Sequence, residues 1–235
     1  MNKLYILNHK MNLTKDNIDT YIKKINKLST TNHIIICPSS IYLNDFKLNT
    51  NYDISSQNIY YMDEGSYTGE ISAKQLNSLN IKYTLVGHFE RRIIFNETEE
   101  IINKKISSCI RNNIIPILCI GEYEELDTYN KTISVLSSQL NNALKNNNIK
   151  EIIIAYEPAW SIGTGKIPNK DILSKIIKYI YDYLNDNYHI KFNIVYGGSI
   201  TKENISDIIS ISNIDGVLLG TISLDIDSLK TIINN

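Results

Sequence analysis

Short apolar runs recur along the chain, each followed by an amphipathic stretch. The runs Leu4–Leu7, His33–Cys37, Tyr83–Val86, Ile114–Cys119, Ile152–Tyr156, Phe192–Tyr196 and Ile214–Leu218 are four to six residues long and rich in β-branched or aromatic residues. A weaker run lies near Tyr52–Gln57. Near-continuous apolarity, rather than strict alternation, marks strands buried on both faces. Between the runs, apolar positions take helical spacing. From Lys170 to Leu184 they fall at Ile172, Leu173, Ile176, Ile177, Ile180, Tyr183 and Leu184, one stripe with lysines and acids opposite. Asn17–Leu28, Glu97–Ile110 and Thr201–Ile209 read as helices of the same kind. Strand–helix alternation kept up to the end of the chain predicts a parallel α/β sheet. Eight such units without a break in composition predict one closed (β/α)8 barrel over residues 1–235, in preference to an open doubly wound sheet.

Length agrees, since 235 residues sit close to the roughly 250 typical of such barrels. The net charge of −1 supplies no basic surplus for nucleic acid or an anionic membrane. A small anionic substrate must therefore be held by local donors. Cys37, Cys109 and Cys119 form no CxxC pair, and their odd number argues against a disulfide framework. The N-terminal apolar run breaks at Asn8, His9 and Lys10, too early for a signal peptide or a membrane span. The expectation is a cytoplasmic chain without a removable leader. Heavy use of Ile, Asn, Lys and Tyr spreads over strands, helices and loops alike and carries no functional signal.

Functional residues of parallel barrels gather where strands end and βα loops begin. Those positions hold Asn8 and Lys10, His88 and Glu90, Glu157, the turn Gly197-Gly198-Ser199, and Gly220. The set suits proton transfer beside a carbonyl on a phosphorylated substrate. A carboxylate takes a carbon-bound proton, His and Lys stabilise the oxygen where charge develops, and glycine-turn amides hold a dianion. Neither a metal-ligand spacing nor a nucleotide loop appears. In Gly163-Thr164-Gly165-Lys166 the Walker pattern fails at Trp160 and Ile167, and the dinucleotide fingerprint fails at Pro168. No metal and no cofactor are expected.

Longer strings sharpen the reading. Tyr156-Glu157-Pro158-Ala159-Trp160-Ser161-Ile162-Gly163-Thr164-Gly165-Lys166 resembles the sixth strand and lid of the triosephosphate isomerase family. Gly87-His88-Phe89-Glu90-Arg91-Arg92 is similar to its electrophile segment, and Asn8 with Lys10 to its first-strand pair. Cys119-Ile120-Gly121-Glu122 resembles the fifth strand end, and Tyr196-Gly197-Gly198-Ser199 the seventh loop. The matches run in order from the first strand to the eighth. The resemblance implies that Glu157 shuttles a proton between two substrate carbons through an enediolate. It implies a neutral His88 donating to the carbonyl oxygens, a pKa logic this family itself exemplifies. Lys10 would balance substrate charge, Asn8 orient the oxygens, and Glu90 neighbour Lys10 and His88. Amides of Gly163, Ser199, Gly220 and Thr221 would grip the phosphate. Residues Pro158 to Lys166 would form a lid that excludes water. Glu122 would hold it open through Trp160, and Tyr196 and Ser199 would hold it closed.

The same resemblance covers Gln57, Asn58 and Gly65-Ser66-Tyr67-Thr68-Gly69-Glu70, similar to an interdigitating dimer loop. It implies a homodimer with Thr68 reaching the partner's site near Lys10. Three departures stand out: Phe89 where the family has Ser, Thr221 where it has a second glycine, and Asn96 where it has glycine. Phe89 removes a hydroxyl beside the base and adds apolar bulk, and Thr221 can resist glycine-type backbone angles. Taken singly, His88, Glu157 and Lys10 also admit structural readings, as do Arg91, Arg92 and Glu97 as an ion-pair network. Cys119 reads as a small buried hydrophobe, and His9, His33 and His189 as structural. A Schiff-base aldolase barrel, using Lys10, and a non-enzymatic barrel scaffold remain as alternatives.

Overall fold

The computed structural model describes residues 2–234. Eight parallel strands close into a barrel in sequence order: β1 (Leu4–Asn8), β2 (His33–Cys37), β3 (Asp53–Ser56), β4 (Tyr83–Val86), β5 (Ile115–Ile120), β6 (Glu151–Tyr156), β7 (Lys191–Gly197) and β8 (Gly216–Leu219). Register pairs Leu4 with both His33 and Gly216, which closes the ring at β1. The weak third run is a genuine strand; Ile54 fills it while Ser55 and Ser56 are buried polar residues.

Along each strand, alternate residues serve two cores. Leu4, Ile6, Ile35, Cys37, Leu85, Ile117, Cys119, Ile153, Ala155, Val195 and Leu218 pack together inside the barrel. Their strand neighbours Tyr5, Leu7, Ile34, Ile36, Leu118 and Ile154 pack outward against the helices. Both faces are buried, so the period of two is hidden in the sequence by uniformly apolar residues. That parity also aims the site. Asn8 follows Leu4 and Ile6 on the inner face, and Glu157 follows Ile153 and Ala155.

The outer layer comprises α1 (Lys15–Ile25), α2 (Leu43–Asn49), α3 (Ala73–Ser78), α4 (Phe89–Ile93), α5 (Glu99–Arg111), α6 (Tyr129–Leu144), α7 (Lys170–Asn187), α8 (Ile205–Ile209) and α9 (Ile226–Ile233). Capping sets several starts. Asn169 accepts from the Asp171 amide at α7, and Ser72 and Gln75 form a capping box at α3. The helix expected from Glu97 starts at Glu99, because Thr98 caps it by accepting from the Ile101 amide. The helix expected from Thr201 starts at Ile205, since the Asn204 side chain accepts from the Thr201 amide and holds a turn there. The last strand begins at Gly216 rather than Ile214, because the Asp215 carboxylate takes the Ile194 amide for itself. Among the described residues no helix is long and apolar enough to cross a membrane.

Candidate active site

The residues expected at the strand ends converge on one mouth. A cavity of about 330 Å³ is lined by Lys10, His88, Glu157, Gly163, Ser199 and Gly220, with Thr221 at its rim. A second cavity of about 600 Å³ adjoins it and shares Lys10 and His88.

His88 caps the short helix α4, and its Nδ1 accepts from the Glu90 amide at 3.4 Å. This bond suits the tautomer with its proton on Nε2, although Glu90 Oε2 also lies 3.6 Å from Nδ1. Nε2 faces Glu157 Oε1 at 3.7 Å, both side chains being buried. The Glu157 backbone amide is fixed by the Ile120 carbonyl at 2.8 Å. Glycine at 197 makes room for the carboxylate, since a Cβ there would lie 2.7 Å from Glu157 Cγ. The other oxygen, Glu157 Oε2, is buried without a hydrogen-bond partner.

Lys10 has a left-handed backbone, φ +53°, at a non-glycine position. Three bonds hold it there. Ser39 Oγ and Gln57 Nε2 both donate to its carbonyl, and its amide donates to Asn8 Oδ1 at 3.1 Å. With its oxygen so engaged, Asn8 keeps its NH₂ group to donate. Lys10 Nζ pairs with Glu90 Oε1 at 2.6 Å and sits 5.5 Å from the Phe89 ring centroid. Phe89 also stacks at a tilt on His88, with centroids 4.8 Å apart.

The backbone doubts raised by the departures resolve simply. Thr221 opens the 3₁₀ turn Thr221–Leu224 and is not among the residues of positive φ. Asn96 takes φ +54°, the left-handed turn its side chain tolerates.

The segment from Pro158 to Lys166 arches over the first cavity, turning at Gly163 and Gly165, both at positive φ. Trp160 Nε1 donates to Glu122 Oε1 at 2.9 Å, and the Tyr156 hydroxyl donates to the same carboxylate. Ser199 Oγ accepts from the Gly165 amide at 3.0 Å and donates to the Ser161 carbonyl at 2.5 Å, and Tyr196 Oη lies 3.3 Å from Ser161 Oγ. The contacts assigned by resemblance to the open and closed lid thus occur together in one conformation.

Arg91 pairs with Glu97 at 2.7 Å, while Arg92 pairs with Glu99 at 2.5 Å and donates to the carbonyls of Gly87 and Cys119. Sequence reasoning missed Lys105, a buried ammonium that bonds Glu97 and Asn58 Oδ1. Burial pulls its pKa down, with Glu97 opposing. It lies on the helical stripe of α5 among Ile102, Ile106 and Cys109, which is the one signal that could have found it. Cys119 is buried as expected, and burial, with the neighbouring Glu157, pushes its thiol well above the ordinary value. His33 pairs with Asp53 at the surface, at 2.8 Å.

A closed parallel barrel with a carboxylate, an imidazole and an ammonium facing glycine turns at its mouth defines an enzyme of the (β/α)8 class. The family model described as Triosephosphate isomerase matches residues 3–235. The chain is 39% identical to the triosephosphate isomerase of Finegoldia magna, covering 97% of this chain and 96% of that one. It is 39% identical to that of Wolbachia pipientis wMel, over 99% and 93%, and 38% identical to that of Orientia tsutsugamushi strain Boryong, over 99% and 97%. The chain belongs to the triosephosphate isomerase family.

Proposed function

We propose that the chain interconverts dihydroxyacetone phosphate and D-glyceraldehyde 3-phosphate in the cytoplasm, with the whole barrel as its catalytic domain. The observation that carries this reading is the opposition of Glu157 and His88 across a cavity bordered by glycine turns. Glu157 removes a proton from the carbon beside the carbonyl, and the freed electron pair moves onto the carbonyl oxygen. His88 Nε2–H and the Lys10 ammonium stabilise that oxygen as the enediolate forms. Asn8 orients the two oxygens, and Glu90 keeps Lys10 and His88 in place. His88 passes the hydroxyl proton from one oxygen to the other, and Glu157 returns its proton to the neighbouring carbon, so a new carbonyl forms with no redox partner consumed and no cofactor required.

Amides at Gly163, Ser199, Gly220 and Thr221 hold the phosphate dianion. The first amides of a helical turn lack internal partners, which suits Thr221 to the task. Closure of the Pro158–Lys166 lid excludes water and protects the enediolate from losing phosphate.

The active form is a homodimer in this reading. Met11, Ile94 and Phe95 are exposed apolar residues bordering the second cavity, and Gly69 and Glu70 of the long loop border it from the other side. Exposed apolar surface of this kind favours an interface. The loop carrying Tyr67, Thr68, Gly69 and Glu70 enters that cavity of the partner, bringing Thr68 near Lys10.

The test is a coupled isomerase assay on glyceraldehyde 3-phosphate, run beside Glu157→Ala. Removing the base should cost about two to four orders of magnitude in kcat. A folded wild-type protein without turnover would overturn the assignment in favour of a binding scaffold. Borohydride trapping of Lys10 by substrate would favour the aldolase reading.

A further inference from the structure

We infer that His9 and Tyr21 are positioning residues that fix the phosphate-gripping turn after β8, an inference that rests on the functional reading above. His9 lies between Asn8 and Lys10 in sequence, yet it belongs to the other face of β1. Strand parity sends its ring outward with Tyr5 and Leu7, toward α1 and α2. There it is fully buried, its centroid 4.7 Å from that of Tyr21 and 5.5 Å from that of Phe46.

The hydrogen bonds give the ring a direction. Tyr21 donates its hydroxyl proton to the Ser223 carbonyl at 2.9 Å. His9 Nε2 lies 2.9 Å from the same hydroxyl oxygen. A phenol has one proton to give, so the bond to His9 must run from Nε2–H to the tyrosine oxygen. The tautomer is thereby fixed, and Nδ1 is left bare. Nδ1 is in fact buried without any hydrogen-bond partner. Leaving a polar atom so placed is costly, and an apolar side chain would avoid that cost. The presence of histidine here points to a task for the other nitrogen.

That task lies at the end of the relay. Ser223 is the third residue of the turn Thr221–Leu224, and both its amide and its Oγ donate to the Gly220 carbonyl, at 2.9 and 2.6 Å. Tyr21 thus holds the turn through the Ser223 carbonyl, while Gly220 and Thr221 at its start line the cavity. From the same post, the His9 amide donates to the Cys37 carbonyl, and Asn12 Nδ2 donates to the His9 carbonyl. These bonds set the strand end from which Lys10 projects, and Lys10 Cε passes 3.7 Å from where a Cβ on Gly220 would be. The two groups directed at the anion, the turn amides and the Lys10 ammonium, are therefore referenced to one buried pair. A misplacement of about 1 Å in such groups is enough to weaken binding strongly.

The competing explanation is aromatic packing alone, and Tyr21→Phe separates the two because it keeps the ring and deletes the hydroxyl. The probes are inorganic phosphate, by direct titration, and glyceraldehyde 3-phosphate, by steady-state kinetics. Loss of one positioning bond should raise the phosphate Kd and the KM together by about three- to tenfold. kcat should stay within about twofold, since Tyr21→Phe leaves in place the His9 backbone bonds that set Lys10 and does not touch the Glu157–His88 pair. His9→Leu should behave like Tyr21→Phe, whereas His9→Gln, whose amide can still donate to Tyr21, should lie closer to wild type. Wild-type Kd and KM in Tyr21→Phe, or a loss confined to kcat, would overturn the relay. A wild-type protein that neither binds phosphate nor turns over substrate would instead strike the functional reading itself.

Discussion

Mild acid should destabilise this protein through His9. Burial between Tyr21 and Phe46 lowers the His9 pKa to about 3. In the unfolded chain a histidine titrates near 6.5. Above that value both states carry a neutral ring, and pH does not discriminate between them. Below it the unfolded chain takes up a proton that the native state refuses, so stability falls as pH falls. The window runs from about 6.5 down to about 3, with a slope of about 1.4 kcal/mol per pH unit from this group. Between pH 6.5 and 4.5 the loss is roughly 2 kcal/mol, a large share of the roughly 5–15 kcal/mol by which a domain is stable. The assay is urea unfolding at several pH values across that window, at one fixed protein concentration, because association in the proposed dimer would enter the apparent stability. The reference is His9→Gln, which keeps a donor to Tyr21 and cannot titrate. Groups such as Asp53, whose pKa is lowered chiefly by its hydrogen bond to His33, lose stability in acid in both proteins and cancel in the difference. Parallel slopes for wild type and His9→Gln would refute the reasoning.

The buried cluster around Glu97 offers a second test. Glu97→Gln leaves Lys105 and Arg91 without their shared carboxylate and should cost about 3–5 kcal/mol in urea unfolding; a cost below about 1 kcal/mol would show the pair to be well solvated. Phe89→Ser removes the ring that packs on His88 and near Lys10, and puts there the serine usual in the family; it should change KM while kcat is largely retained. An unchanged KM would remove Phe89 from any account of affinity. Replacing Tyr67 in the long loop by Arg should shift sedimentation toward the monomer and lower activity with it, and an unaltered dimer would place the interface elsewhere.

Much of the candidate site was legible because its residues sit at the ends of apolar runs, and a run's end can be read without knowing its neighbours. Glu157 after Ile152–Tyr156, His88 after Tyr83–Val86 and Asn8 after Leu4–Leu7 were found that way. The glycine turns were legible for a related reason. Gly163 and Gly165 take backbone angles that side chains disfavour, and Gly197 leaves space that the Glu157 carboxylate fills. Helix α7 was readable from Lys170 to Leu184 because its apolar stripe is dense, and its polar last turn to Asn187 carries no such stripe. By contrast, α6 is interrupted by serines and asparagines, and its helix is secured by burying Leu136, Leu140 and Leu144 against the barrel.

What the sequence alone determined, then, was the succession of buried strands and the chemistry waiting at their ends. Only the closed barrel decided which of those ends meet, since Leu4 pairs with Gly216 across a gap of two hundred residues that no local pattern encodes. The same holds for the polar interior. Lys105 reads as one more surface lysine until α5 turns it onto Glu97, and His9 reads as a bystander beside Lys10. Tyr21 reaches His9 from α1 while giving its own proton to Ser223 near the far end of the chain, and that chain of bonds gives the two His9 nitrogens different fates. Local propensity acts over a few residues, whereas the partners of a buried polar group are chosen by whatever the fold brings within about 3 Å.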